Sequence, residues 1–72
     1  MIKPGDRLEV FTGEAGRLYG SLLAVFVPRG ATGHLVELGT RFEGACLIEL
    51  DRELPGLVER RVYLPFQCIA LT

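Results

Sequence analysis

Lys3-Pro4-Gly5-Asp6-Arg7-Leu8-Glu9-Val10-Phe11-Thr12-Gly13, followed after a short loop by Gly20-Ser21-Leu22-Leu23-Ala24-Val25-Phe26-Val27, is the stretch that decides how this chain is read. Pro-Gly-Asp supplies an opening turn. Arg7 to Thr12 then alternates, with Leu8 and Val10 directed inward and Arg7 and Glu9 outward, the period-two pattern of a half-buried strand. Phe11 breaks the outer face. Gly13-Glu14-Ala15-Gly16 reads as a loop, because glycine supplies the positive φ that other residues resist. Tyr19 to Val27 reads as a second strand, long and nearly all apolar, buried on both faces or bent between two halves of a sheet. Gly20 sits where such a bend or a close backbone approach is expected.

The rest of the chain is also β in character. Glycine or proline interrupts every would-be helix, and the apolar runs are short and rich in β-branched and aromatic residues. Pro28 ends the second strand and Arg29 to Gly33 forms a loop. His34 to Leu38 is a third strand, and Ala45 to Leu50 a further one. Asp51 to Gly56 provides turn chemistry, with Pro55-Gly56 suited to the centre of a type II turn. Val58 to Leu64 is expected to return antiparallel to Ala45–Leu50. Pro65 should open a 3₁₀ turn before a last short strand, since its φ is preset and its missing N–H is not needed there. Leu22, Val25, Leu47, Ile48, Val62 and Ile69 are the expected shared core, although neighbours such as Leu47 and Ile48 cannot both face inward on a regular strand.

Gly5-Asp6, Leu8, Val10, Gly13, Gly20, Leu22 and Val25 together resemble the KOW motif of ribosomal and transcription-factor domains, over about a third of the chain. The opening and the Pro65 ending are similar to those of small SH3-like barrels. The resemblance implies an all-β fold: one domain over residues 1–72, a small SH3-like barrel of five or six strands with a 3₁₀ turn before the last. It also implies an RNA-facing loop after the first strand, normally rich in lysine. Here that loop carries Arg17 alone, and Glu14 would repel a phosphate. A second similarity, to the plasmid-borne type II dihydrofolate reductases, covers the Gly-Asp-Arg opening. Their pore motif would fall at Arg61-Val62-Tyr63-Leu64, where neither its glutamine nor its tyrosine is matched in place.

Composition narrows the function classes. Net charge is −1 over 72 residues, whereas nucleic-acid binders usually carry a basic footprint. A chain this short buries only about 60% of the surface its unfolded form exposes, yet 49% of its residues are apolar. It therefore fills its interior unusually well or leaves apolar surface for a partner, and self-association is expected. Cys46 and Cys68 lie in apolar runs and read as reduced core thiols. With a polar amino terminus and no apolar run of membrane-spanning length, the cytoplasm is the expected compartment.

No catalytic constellation is visible. Ser21 has no base near it in sequence, His34 stands alone, and Glu49, Asp51 and Glu53 read as a solvated strand edge rather than a cation site. The expectation is a non-enzymatic protein-interaction module without cofactor or metal, its contacts made through Tyr19 and Phe42. The alternative is KOW-like binding of RNA, a ribosome or a transcription complex through Arg17, Arg29, Arg52, Arg60 and Arg61. Arg60 and Arg61 point to opposite faces of a strand, so one of them is expected to pair across the hairpin with Glu49 or Asp51.

Overall fold

Alternating side chains organise the chain into strands, and the computed structural model describes residues 2–72. It contains β1 (Arg7–Val10), β2 (Glu14–Leu18), β3 (Ala24–Val27), β4 (Thr32–Glu37), β5 (Ala45–Leu50), β6 (Arg61–Pro65), a 3₁₀ turn (Phe66–Cys68) and β7 (Ile69–Leu71). Every pairing is antiparallel, within one seven-stranded sheet of order β3-β2-β6-β5-β4-β1-β7. β3 and β7 are its free edges, and the sheet is not closed. No α-helix occurs among the described residues.

The inner face carries the core. Leu8 and Val10 of β1, Leu35 of β4, Cys46, Ile48 and Leu50 of β5, and Val62 and Leu64 of β6 are all buried there. Leu18, Val27 and Cys68 complete the cluster, and Leu54 packs against it from the β5–β6 connection. Of the expected core, Ile48 and Val62 are fully buried, while Val25 and Ile69 pack at its margin. Leu22 lies in a turn outside it. Leu47 is buried too, but on the opposite face of β5 from Ile48, opposite Tyr63 of β6 and Glu37 of β4. The two neighbours obey the strand's alternation, and the sheet is covered on both sides at its centre.

Several sequence readings are corrected. There are seven strands rather than five or six. Gly13–Gly16 is not a loop: Glu14, Ala15 and Gly16 belong to β2, where Gly16 faces inward. The long strand expected from Tyr19 to Val27 is instead a four-residue turn followed by β3. Leu18 N–H donates to Leu23 O at 2.8 Å and Leu22 N–H to Leu18 O at 2.8 Å. That turn needs left-handed backbone at both Gly20 (φ +93°) and Leu22 (φ +61°). β3 is apolar without being central: at the sheet edge, Phe26 is 65% exposed. β4 starts at Thr32 rather than His34, and β6 at Arg61 rather than Val58, which is 86% exposed. Glu59 Oε1 accepts from the N–H groups of both Arg60 and Arg61, while the Arg60 carbonyl accepts from Leu50 N–H of β5 at 2.9 Å.

Other readings agree with the structure. Ala45–Leu50 is a strand with the stated bounds. Pro55-Gly56 centres a turn closed by Leu57 N–H to Leu54 O at 3.0 Å. Pro65 precedes the 3₁₀ turn at φ −62°. The opening turn is closed by Asp6 N–H to Lys3 O, while the Asp6 carboxylate accepts from both Lys3 N–H and Nζ.

Two inward-facing glycines bring the strands close. A β-carbon on Gly16 would lie 2.6 Å from the Tyr63 carbonyl oxygen, and one on Gly33 would run into the Glu49 carbonyl. At Gly20 the same atom would meet nothing within 4 Å. Its constraint is therefore the positive φ, not a neighbouring strand.

Urea melts of single variants check this account. Ile48→Ala and Val62→Ala should each cost about 1–4 kcal/mol. Gly33→Ala should cost about 1–3 kcal/mol or more through overpacking. Gly20→Val should cost about 1–2 kcal/mol through its backbone conformation alone. Wild-type stability of Gly33→Ala would contradict the close approach of β4 and β5.

Candidate functional site

Register brings three aromatic side chains together on the outer face. β2 pairs with β6 so that Arg17 lies opposite Tyr63, and Tyr19 N–H donates to Arg61 O at 2.9 Å just beyond the strand. Tyr19 in the β2–β3 turn therefore reaches Tyr63, with ring centroids 6.0 Å apart. Phe42 comes from the other side, in the connection between β4 and β5. Its ring meets Tyr63 edge to face at 5.0 Å. The Thr40 hydroxyl fixes that connection, donating to the carbonyls of Phe42 and Ala45 while accepting from Phe42 N–H.

A groove of about 260 Å³ runs beside these rings. Its lining includes Ala15, Ala24 and Ala45, with Phe42, Tyr63 and Pro65 forming the bulky walls. Arg17 is its one charged lining residue. Two guanidinium groups stack on the aromatic faces: Arg61 lies 4.9 Å from the Tyr19 ring centre and Arg41 lies 5.4 Å from that of Phe42. Arg61 is also held by Glu59 at 3.4 Å. The groove thus has a floor of small residues and aromatic walls, with the stacked Arg61 and Arg41 beside it.

Tyr19 and Phe42, the two expected protein contacts, thus both meet Tyr63, and of the two Phe42 lines the groove. Tyr63, which joins them, was missed as a member. Alternation with the buried Val62 and Leu64 puts it on the outer face, but its place between the other two depends on the β2–β6 register, for which the chain carries no local signal.

The arginines divide. Arg17 and Arg61 flank the aromatic groove. Arg60 pairs across the hairpin with Glu49 at 3.6 Å, as expected for one member of the Arg60-Arg61 pair, and donates to the carbonyls of Leu50 and Asp51. Arg52 lines a different, open cleft of about 620 Å³, together with Pro28 and Gly30 on either side of Arg29.

That second cleft is built around Asp51. Arg7 grips its carboxylate with two bonds, of 2.9 and 2.6 Å, and the Thr32 hydroxyl donates a third at 2.7 Å. These contacts tie β1 and β4 to the residue that ends β5. The Arg7 hydrogen bonds first, then the Thr32 hydroxyl, hold the Asp51 carboxyl well below the usual carboxylate range. Oδ1 accepts one of these bonds and Oδ2 the other two. His34 lies half-buried in β4 between Arg7 and Glu49, and the Ser21 hydroxyl accepts from Leu23 N–H in the turn. Among the described residues no three metal-ligating side chains come together, and no helix is long and apolar enough to cross a membrane.

Cys46 and Cys68 are buried and unpaired by disulfide. The Cys46 thiol donates to Leu64 O at 3.6 Å and the Cys68 thiol to Pro65 O at 3.1 Å. Burial, and then the nearby Cys68, push the Cys46 thiol up to about 11. A thiol-specific disulfide reagent at pH 8 should therefore react far more slowly with the native chain than with the denatured one. Equal rates would show that the core admits solvent at these thiols.

Asp51 generates a pH prediction with a definite sign. Its folded pKa lies below the value of about 3.9 expected unfolded. The associated stabilisation is complete above that value and is lost as pH falls through the folded pKa. The stability gap between wild type and Asp51→Asn, read from urea midpoints, should stay constant from about pH 7 to 5 and narrow below about pH 4. A gap independent of pH would mean that the Arg7–Asp51 contact does not stabilise the fold.

Comparison of the chain with protein-family models, with curated proteins and with solved structures finds no match.

Proposed function

We propose that this chain is a non-enzymatic protein-interaction module on an SH3-like barrel scaffold, that it self-associates, and that the groove beside Tyr19, Tyr63 and Phe42 is its contact surface. The order of elements supports the scaffold reading. A first strand, an inserted hairpin (β2–β3), a three-strand meander (β4–β5–β6), a 3₁₀ turn and a last strand beside the first are the parts such a barrel uses. The observation that carries the function is the aromatic triad, because Tyr63 joins two rings that come from separate connections. Rigid aromatic walls over a floor of alanine and glycine favour an extended polypeptide, since tyrosine supplies contact area at little entropic cost.

The KOW-like alternative draws support from Arg17 and Arg61 beside Tyr19. It is disfavoured by the distribution of the other cations, with Arg52 lining a separate cleft and Arg60 bound to Glu49. Phosphate contacts need converging charge.

Tyr19 and Tyr63 are the chain's two tyrosines and it has no tryptophan, so its intrinsic fluorescence reports on this site. Peptides selected from a displayed library of random sequences should perturb that fluorescence on binding. Tyr63→Ala should leave the fold intact and weaken binding by a factor of about 30 or more, as for a central aromatic anchor. Selected peptides that bind the Tyr63→Ala variant equally well would overturn the reading. Salt-dependent binding of a uridine dodecamer, lost on Arg17→Ala, would move the assignment to nucleic acid.

A further inference from the structure

We propose that two copies of this chain pair edge to edge through β3, antiparallel about a two-fold axis, and that each copy contributes Phe26 to the rim of the other's aromatic groove. This deepens the self-association part of the proposed function and names the surface responsible.

The backbone of β3 is half satisfied. Leu18 N–H donates across the hairpin to Leu23 O, and Tyr19 N–H donates the other way, to β6. Antiparallel ladders alternate, so the peptide groups of Gly16 and Glu14 face β3, opposite Val25 and Val27. Val25 and Val27 thus bond β2, while the N–H and C=O groups of Ala24 and Phe26 point off the free edge. Among the described residues no strand pairs with that side.

Antiparallel self-pairing can satisfy those groups in one register. With Val25 opposite the partner's Val25, Ala24 lies opposite the partner's Phe26 and Phe26 opposite the partner's Ala24. Both outward-facing residues then exchange their hydrogen bonds, and the largest side chain of the strand meets its smallest. Phe26 is 65% exposed in the single chain and Leu23, beside the strand, 54%. Charge does not oppose the match. Ser21 to Pro28 contains no ionisable side chain, and continuing the register sets Arg29 against the partner's Ser21 rather than against a like charge. The usual guards of an edge strand, an internal proline, a lysine or a bulge, are absent from Ala24-Val25-Phe26-Val27.

The register also bears on the groove. Ala24 lines it, on the same outer face as Arg17 and Tyr63. The partner's Phe26, opposite Ala24, lies along the side of the groove away from Phe42 and supplies a further aromatic wall. Four residues a side fall short of the roughly 1,200 Å² at which interfaces become permanently stable. The dimer is therefore reversible.

Analytical ultracentrifugation of the full chain tests this. Average mass should rise from one protomer near ~10 µM towards two near ~1 mM. F26K and A24E should each remain monomeric, because each places a charge at the two-fold seam. An equimolar mixture of the two should regain dimer, since the proposed register sets the introduced glutamate opposite the introduced lysine. Both positions are exposed, and circular dichroism would verify the fold; should F26K unfold, A24E alone reads the same edge. A wild-type dimer that persists in both F26K and A24E overturns the β3 interface but leaves self-association standing, with the β7 edge to carry it. Failure of the mixture to reassociate overturns the register. A wild type that stays monomeric at ~1 mM overturns both this inference and the self-association reading, while the Tyr63 test of the groove remains independent.

Discussion

Backbone crowding at Gly16 and Gly33 is the constraint on which the rest of the sheet depends. Both residues face the core, and at each the neighbouring strand's carbonyl occupies the space a β-carbon would take. A flat sheet keeps neighbouring backbones out of the path of inward side chains. The close approach of β6 at Gly16 and β5 at Gly33 marks where this sheet bends hard enough to wrap a small core. The bend lets a chain of 72 residues bury Leu8, Leu35, Ile48, Val62 and Leu64 completely. It also sets which residues meet on the convex side, because the β2–β6 register that Gly16 permits is the one that brings Arg17 opposite Tyr63.

The outer face divides into two regions with different physics. Towards β1 and β4 it is polar and self-satisfied: Arg7, Thr32 and Asp51 saturate one another, and Arg60 closes on Glu49. Surface ion pairs contribute little stability singly, but a bidentate contact from β1 to the end of β5 holds the two elements in a fixed relation. Towards β2, β3 and β6 the face is aromatic and small-residue, with most polar groups at its margins. β5 lies between the two regions and is covered from both sides. Leu47 is buried on the outer face, opposite Tyr63, and Ile48 on the inner.

Legibility in the sequence followed locality. Ala45–Leu50 is readable to the residue because its length, its apolar run and the flanking Gly44 and Asp51 all point one way. The Pro-Gly turns and the Pro65 ending were readable because proline sets its own φ. What failed were inferences that needed to know a residue's neighbours in space. An uncharged apolar run such as Leu22–Val27 looks the same whether it is central or at an edge, so β3 was read as the tail of a long buried strand. Gly16 looked like a loop residue because glycine signals both a turn and a close approach, and only the partner strand tells them apart. Tyr19 and Phe42 stood out as aromatics in loop-like surroundings, but their meeting at Tyr63 is a property of register.

The apolar residues of this chain both fill its interior and remain on its surface. The inner face takes the aliphatic residues of β1, β4, β5 and β6 with little left over. Phe11, Tyr19, Leu23, Phe26, Val58, Phe66 and Leu71 remain exposed. Scattered apolar side chains on a surface need no explanation. Those near the β2–β3 hairpin are not scattered: Tyr19 and Leu23 bracket its turn, Phe26 lies on the adjoining edge strand, and Tyr63 is reached through the β2–β6 ladder. The hairpin itself is one of the least anchored parts of the sheet, since β3 bonds on one side only and sends only Val27 fully into the core. A domain this small has little stability to spare. Its most exposed aromatic, Phe26, lies on an edge strand bonded on one side only, so any pairing along that edge would add to a small total.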